Sequence, residues 1–300
     1  MGGAGTGGGD AAPPTAPTGA MDRPRRRPIG IFDSGLGGLT VVRAVSERLA
    51  GEDIVYLGDT ARVPYGSKSA DTVVRYSRMS ARFLLGRDVK MLLVACNTAS
   101  AFALDTLRAE VPVPVLGAVE PGAQEAVAAT RVGEVGVIGT LGTVRSGSYP
   151  RAIGALDPRV RVAQLACPLL VPLVEEGWLS GDGDGPEARA ARAIAEKYLG
   201  ELHARAPELD VIVLGCTHYP LVRPLLARIA AQMWRHEVRL VDSAQAMARA
   251  AEQALGDGGL LDASATPGRL ACSVTDDARF GEVAARFLGH DLSTVEKVDL

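Results

Sequence analysis

From Pro28 to Val241 short apolar runs and longer amphipathic stretches take turns along the chain, which leaves few architectures open. The runs at 29–32, 54–57, 91–95, 113–116, 135–138, 162–166, 211–215 and 238–241 predict strands. Between them, apolar residues recur at helical spacing over 39–49, 70–85, 188–202 and 221–233. Strand and helix in alternation predict an α/β fold with mostly parallel sheets. Ligands of such sheets bind outside the carboxyl ends of the strands, so residues just after a strand are where chemistry is expected.

One internal repeat refines this picture. Leu92-Leu93-Val94-Ala95-Cys96-Asn97-Thr98 and Ile212-Val213-Leu214-Gly215-Cys216-Thr217-His218 are each an apolar run, a cysteine and then polar residues. The cysteines stand 216 − 96 = 120 positions apart, about the size of a small domain. Two similar α/β lobes facing across a central cleft are expected, the first of 28–118 plus 241–300 and the second of 119–240. The first twenty residues are almost all Gly, Ala, Pro and Thr. That composition buries too little surface to offset chain entropy, and with the arginine-rich stretch after it a disordered tail over 1–27 is expected.

Composition narrows the function. Lys and Arg number 32 against 35 Asp and Glu, without the basic excess of a dedicated nucleic-acid footprint. No apolar run approaches the roughly 18 residues of a membrane span. Residues 1–28 hold no stretch that would serve as the apolar core of a signal peptide, so a cytoplasmic protein is expected. The four cysteines are too sparse for a disulfide scaffold and include no C-x-x-C pair, and the four histidines give no metal cluster.

Cys96 and Cys216 each end a predicted strand. The amide groups and dipole of a following helix would lower a thiol pKa there. Alone, either could be a small buried residue, since cysteine packs as a hydrophobe. Their matched contexts, with Asn97-Thr98 and Thr217-His218 behind them, favour a functional pair. Cys167, before Pro168, and Cys272 lack polar followers and read as structural. His218 could partner Cys216, act as an acid or base near it, or cap a helix. The turn Asp33-Ser34-Gly35-Leu36-Gly37-Gly38 fails the dinucleotide pattern, which requires glycine where Thr40 stands. Asp33 could face the cleft or serve only as a turn residue. Of Glu175 and Glu176 one is expected to face inward. Two cysteines across a cleft suit a reaction in which one base removes a proton and a second acid returns it to the opposite face. A hydrolase using Cys216 and His218, and a two-lobed amino-acid-binding module, are the alternatives.

Taken together, Asp33-Ser34-Gly35-Leu36-Gly37-Gly38, Pro64-Tyr65-Gly66, Cys96-Asn97-Thr98, Cys167-Pro168 with Glu175, Gly215-Cys216-Thr217-His218-Tyr219-Pro220 and Val241-Asp242-Ser243 resemble the glutamate racemases, cofactor-independent members of the aspartate/glutamate racemase family. The resemblance spans about residues 28–243. It implies L- and D-glutamate as substrate, no cofactor, a supply of D-glutamate for peptidoglycan and a homodimer. It further implies that Cys96 and Cys216 are the two acid/base thiols, that Asp33 assists near Cys96, and that His218 with Glu175 assists near Cys216. The substrate contacts it implies are Asp33, Ser34, Tyr65, Gly66, Asn97, Thr98, Thr140, Thr143, Thr217 and His218. Aspartate racemases share the paired cysteines, so the reaction type stands on more than the substrate does.

Overall fold

The computed structural model describes residues 1–3, 24–179, 185–262, 266–292 and 294–300. The first half of the chain alternates β1 (Ile29–Asp33), α1 (Leu39–Arg48), β2 (Ile54–Gly58), α2 (Ala70–Leu85), β3 (Met91–Val94), α3 (Asn97–Glu110), β4 (Val115–Gly117) and α4 (Val119–Ala129). There follow β5 (Glu134–Gly139), α5 (Leu141–Ser146), α6 (Ser148–Leu156), β6 (Arg161–Ala166), α7 (Leu170–Glu175), α8 (Pro186–Arg205), β7 (Val211–Gly215), α9 (Arg223–Met233) and β8 (Arg239–Asp242). The chain closes with α10 (Ser243–Asp257), β9 (Leu270–Val274), α11 (Phe280–Leu288) and β10 (Glu296–Lys297).

Two sheets form, in strand order β10-β9-β2-β1-β3-β4 and β6-β5-β7-β8, and every pairing is parallel. The central strands β1, β3, β5 and β7 are buried along their whole length, as expected where helices cover both faces. β4 starts at Val115 rather than 113, because Pro112 and Pro114 have no N–H to give to the ladder. β8 pairs wholly with β7, so the second sheet runs to Asp242 and the lobe boundary expected at 240/241 falls inside a strand. α10 then packs on α1 and α4, and one apolar core runs from the first sheet into the second. Among the described residues no helix is long and apolar enough to cross a membrane.

In each sheet the chain reverses direction beside its first strand. β1 is flanked by β2 and β3, and β5 by β6 and β7. Such switch points open a crevice at the carboxyl ends of the two strands that part company. Asp33 ends β1 and Cys96 follows β3; Thr140 follows β5 and Cys216 follows β7.

The opposite end of the first sheet is tied by Lys90, whose side chain is fully buried. Its ammonium meets the Glu52 carboxylate and donates to the carbonyls of Arg25 and of Leu260, the last at 2.9 Å. Glu52 Oε1 accepts from the Asp262 amide at 2.8 Å. Of the tail expected over 1–27, residues 4–23 lie outside the described residues. Arg25 is fastened through its carbonyl and through Nε to Gly259 O at 3.0 Å, and Arg27 pairs with Asp88. The segment just before Pro28 is thus held to the fold, in part through the Arg25 carbonyl that Lys90 binds.

Candidate active site

Cys96 is the N-cap of α3, and its Sγ accepts from the Ala99 amide at 3.5 Å and lies 3.5 Å from Ser34 Oγ. The expected lowering of its pKa by the helix end does not occur. Burial, and then the neighbouring Asp33 carboxylate, push the thiol up to about 12, against smaller opposing effects of Ser34 and Ala99. Asp33 is itself fully buried, and its pKa is raised by that burial. It closes its own turn, Oδ2 accepting from Gly35 N at 3.0 Å, and Oδ1 accepts from Thr217 Oγ1 at 3.5 Å, so it serves the turn and lies behind the residues that line the cavity.

Cys216 is placed differently. The chain continues through a 3₁₀ turn at Tyr219–Leu221, and α9 starts only at Arg223. Its sulfur therefore meets a side chain rather than a helix end: His218 Nδ1 lies 3.9 Å away, and His218 Nε2 is 2.9 Å from Glu175 Oε1. His218 makes no side-chain cap bond, which excludes the capping alternative. Burial alone would lower its pKa. The contacts with Cys216 and Glu175 outweigh that and raise it to about 10. Glu175 is held below the usual carboxylate range by the same bond to His218. Glu175 is the glutamate that faces the cavity, whereas Glu176 points outward to Arg279 at 3.0 Å.

Cys96, from the first lobe, and Cys216, from the second, line one cavity of about 260 Å³. Ser34, Tyr65, Gly66, Asn97, Thr98, Thr140, Glu175, Thr217 and His218 line it too. Two expected contacts lie behind its wall. Asp33 supports Ser34 and Thr217 from below, and Thr143 is fully buried, its hydroxyl 3.3 Å from that of Thr98 and 3.0 Å from that of Thr140. The Thr98 and Thr140 hydroxyls meet across the lobes at 2.8 Å. Two others are partly committed elsewhere. The Tyr65 hydroxyl donates to Asp59, and Asn97 Oδ1 accepts from Tyr149 at 2.7 Å.

Among the described residues the lining contains no Lys or Arg, so an anionic group entering it meets hydroxyls, backbone amides and the His218 imidazole. Among the described residues no group of three His, Cys, Asp or Glu side chains is arranged to hold a metal ion. The apolar wall residues Val63, Val171 and Pro172 carried no signal in the sequence, because prolines and valines beside a strand end read as packing.

Comparison with known proteins places this geometry. The model of the Asp/Glu/Hydantoin racemase family matches residues 30–251, most of the chain and both cysteine-bearing strand ends. The chain belongs to this family. A glutamate racemase of Geobacter metallireducens is 48% identical over 273 residues, covering 91% of this chain and 96% of that one. The solved glutamate racemase of Francisella tularensis in complex with D-glutamate superposes with a TM-score of 0.81 at 33% identity, covering 92% of this chain and 98% of that one. That of Thermus thermophilus in complex with β-chloro-D-alanine gives 0.79 at 42% identity, again covering 92% and 98%.

Two predictions concern the His218 side of this racemase fold. A Cβ on Gly37 would lie 2.3 Å from Thr217 Oγ1 and 2.4 Å from His218 Nδ1. Gly37→Ala must therefore displace both, and if His218 takes part in the reaction a shift of about 1 Å there costs about 10²-fold in kcat/KM. Steady-state kinetics of a folded variant retaining more than half of wild-type activity would contradict this. The second prediction concerns pH. His218 binds its proton more tightly folded than unfolded, so its contribution to stability is complete below the ordinary value of about 6.5 and is lost as pH rises through about 10. The stability gap between wild type and Glu175→Gln is expected to be widest near about pH 6 and to close toward about pH 10. Urea melts across that range check the sign; a gap that widens with pH would contradict it.

Proposed function

We propose that this racemase interconverts L- and D-glutamate without a cofactor by a two-base mechanism, with Cys96 and Cys216 as the two proton carriers. The observation that carries this reading is the convergence of both cysteines, from the switch points of two sheets, on one small cavity. A substrate Cα between them presents one face to each sulfur. One thiolate takes the α-proton, the planar carbanion is protonated by the thiol on the other face, and the configuration inverts. The next turnover can run the other way.

The two sides are not alike. Cys96 rests as a protonated thiol, since burial and Asp33 disfavour its charge. Cys216 faces an imidazole that can take its proton or give one back, and Glu175 stabilises the imidazolium. The hydroxyls of Ser34, Thr98, Thr140 and Thr217, with backbone amides of the Tyr65-Gly66 and Asn97-Thr98 segments, hold the two carboxylates and the ammonium of glutamate. The hydroxyls and amides donate to the carboxylates and the hydroxyl oxygens accept from the ammonium, so neutral groups bind the substrate charges without a buried unpaired ion. Asp33 and Thr143 act through the residues in front of them. The cavity lies below the range of about 300–1,000 Å³ of drug-sized ligands, which supports a small substrate.

The same reading makes the protein a cytoplasmic homodimer whose D-glutamate enters peptidoglycan. Glutamate as the substrate is supported by the glutamate racemases of similar sequence and by the D-glutamate complex of the Francisella protein. The test is optical. Reduced protein with no added cofactor is expected to bring the circular dichroism of L-glutamate and of D-glutamate to zero, and to leave aspartate unchanged. A folded protein that alters neither glutamate enantiomer would overturn the proposal.

A further inference from the structure

Glu175 is the last residue of α7, and the final carbonyls of a helix have no partners within it. Two of them are claimed from the other lobe. Arg286 Nη1, on α11, donates to Val174 O at 3.1 Å and to Glu175 O at 2.6 Å. A cation at a helix C-terminus also complements the helix dipole. The turn that ends α7 is shaped around this side chain: Gly177 has φ +74°, and a Cβ there would lie 2.7 Å from Arg286 Nη2. The next residue, Phe287, is buried and meets the His218 ring edge to face, with centroids 5.0 Å apart and planes at 81°. Neither Arg286 nor Phe287 lines the cavity.

We propose that Arg286 and Phe287 are positioning residues that set the contact between Glu175 and His218, and through it proton transfer at Cys216, from the opposite lobe. Consecutive residues of one helix grip the backbone of the carboxylate and the face of the imidazole. α11 packs on α1, so both grips move with the first lobe, while Glu175, His218 and Cys216 belong to the second. An opening of the lobes would withdraw them together and loosen the pair. The neighbouring ion pair Arg279–Glu176 spans the same gap at 3.0 Å, but both partners are half exposed and it contributes little.

The charged and titratable groups facing His218 are Cys216, Glu175 and Asp33, with Arg279 acting on Glu175 from α11's N-terminal end. Arg286 touches carbonyls rather than the carboxylate, so its loss acts by geometry. The activity arm of the test rests on the racemase reading; the spectroscopic arm does not. In the full-length protein, Arg286→Met is expected to shift the ¹⁵N NMR titration of His218 from near about 10 toward its ordinary 6.5. It is also expected to lower kcat/KM by about 10–10²-fold, with the alkaline limb of the pH profile moved to lower pH. Arg286→Lys, which keeps one donor, recovers part of both. Phe287→Leu moves both in the same direction by less, and carries the test if Arg286→Met does not fold. A folded Arg286→Met with an unchanged His218 titration and pH profile, beside a Glu175→Gln variant that moves the titration, overturns the inference. If Glu175→Gln moves the titration but leaves racemisation intact, it is the racemase role of His218 that falls.

Discussion

Cys96→Ser and Cys216→Ser are each expected to lower racemisation by about 10²–10⁴-fold, in both directions, while the melting temperature stays close to that of wild type. In the proposed mechanism each turnover needs one group to remove the α-proton and the other to return it, so losing either carrier would stop both directions. A serine hydroxyl is close in shape to the thiol but far weaker as an acid. Stability should not mask the result at position 96. The thiol there accepts from the Ala99 amide as the N-cap of α3, and serine caps helices well. The single variants separate the readings. Full activity in Cys96→Ser beside a dead Cys216→Ser would mean a single nucleophile working with His218, as in a cysteine hydrolase.

The second large effect concerns stability and lies at the other end of the first sheet. Lys90→Met is expected to cost about 3–5 kcal/mol, because it leaves a buried carboxylate without its cation. The Lys90 and Glu52 side chains are 0% and 1% exposed, so water cannot take over. The substitution also strips a donor from the carbonyls of Arg25 and Leu260, which releases the segment before β1. Lys90 precedes β3 and Cys96 follows it, so the strand separates the ion pair from the cavity. Activity at temperatures where the variant is folded is therefore expected to survive. Urea denaturation reads the loss directly. A cost under about 1 kcal/mol would mean that the pair behaves like a solvated one. Glu52→Gln combined with Lys90→Met should lose less than the sum of the two single changes, since no charge is then buried alone.

The strands that sequence periodicity reveals are those buried on both faces, where a continuous apolar run is required: β1, β3, β5 and β7 are of this kind. β10 spans two residues, and β9 includes a serine and a cysteine, so neither rises above the background of its segment. α5 and α7, six residues each, are too short to display a helical period. The site follows the same division. Cys96, Asn97, Thr98, Cys216, Thr217 and His218 are readable because they end strands, the place where parallel sheets put ligands. That Glu175 rather than Glu176 turns inward is decided by the bond to His218, forty-three positions away. The environment of Cys96 is not readable either, because burial, which raises its pKa, comes from packing with residues distant along the chain, such as Phe32, Leu57 and Tyr65. The grip of Arg286 and Phe287 joins residues from opposite lobes and leaves no local pattern at all.

Early turnovers in D2O test the central claim most directly. If two thiols flank Cα, D-glutamate formed from L-glutamate carries solvent deuterium at Cα, while the recovered L-glutamate keeps its protium, because the proton taken by one sulfur can return only to the face it left. The same asymmetry is expected starting from D-glutamate. Deuterium appearing equally in substrate and product would point to a single exchanging base, and product that retains the substrate's own hydrogen would exclude two carriers altogether.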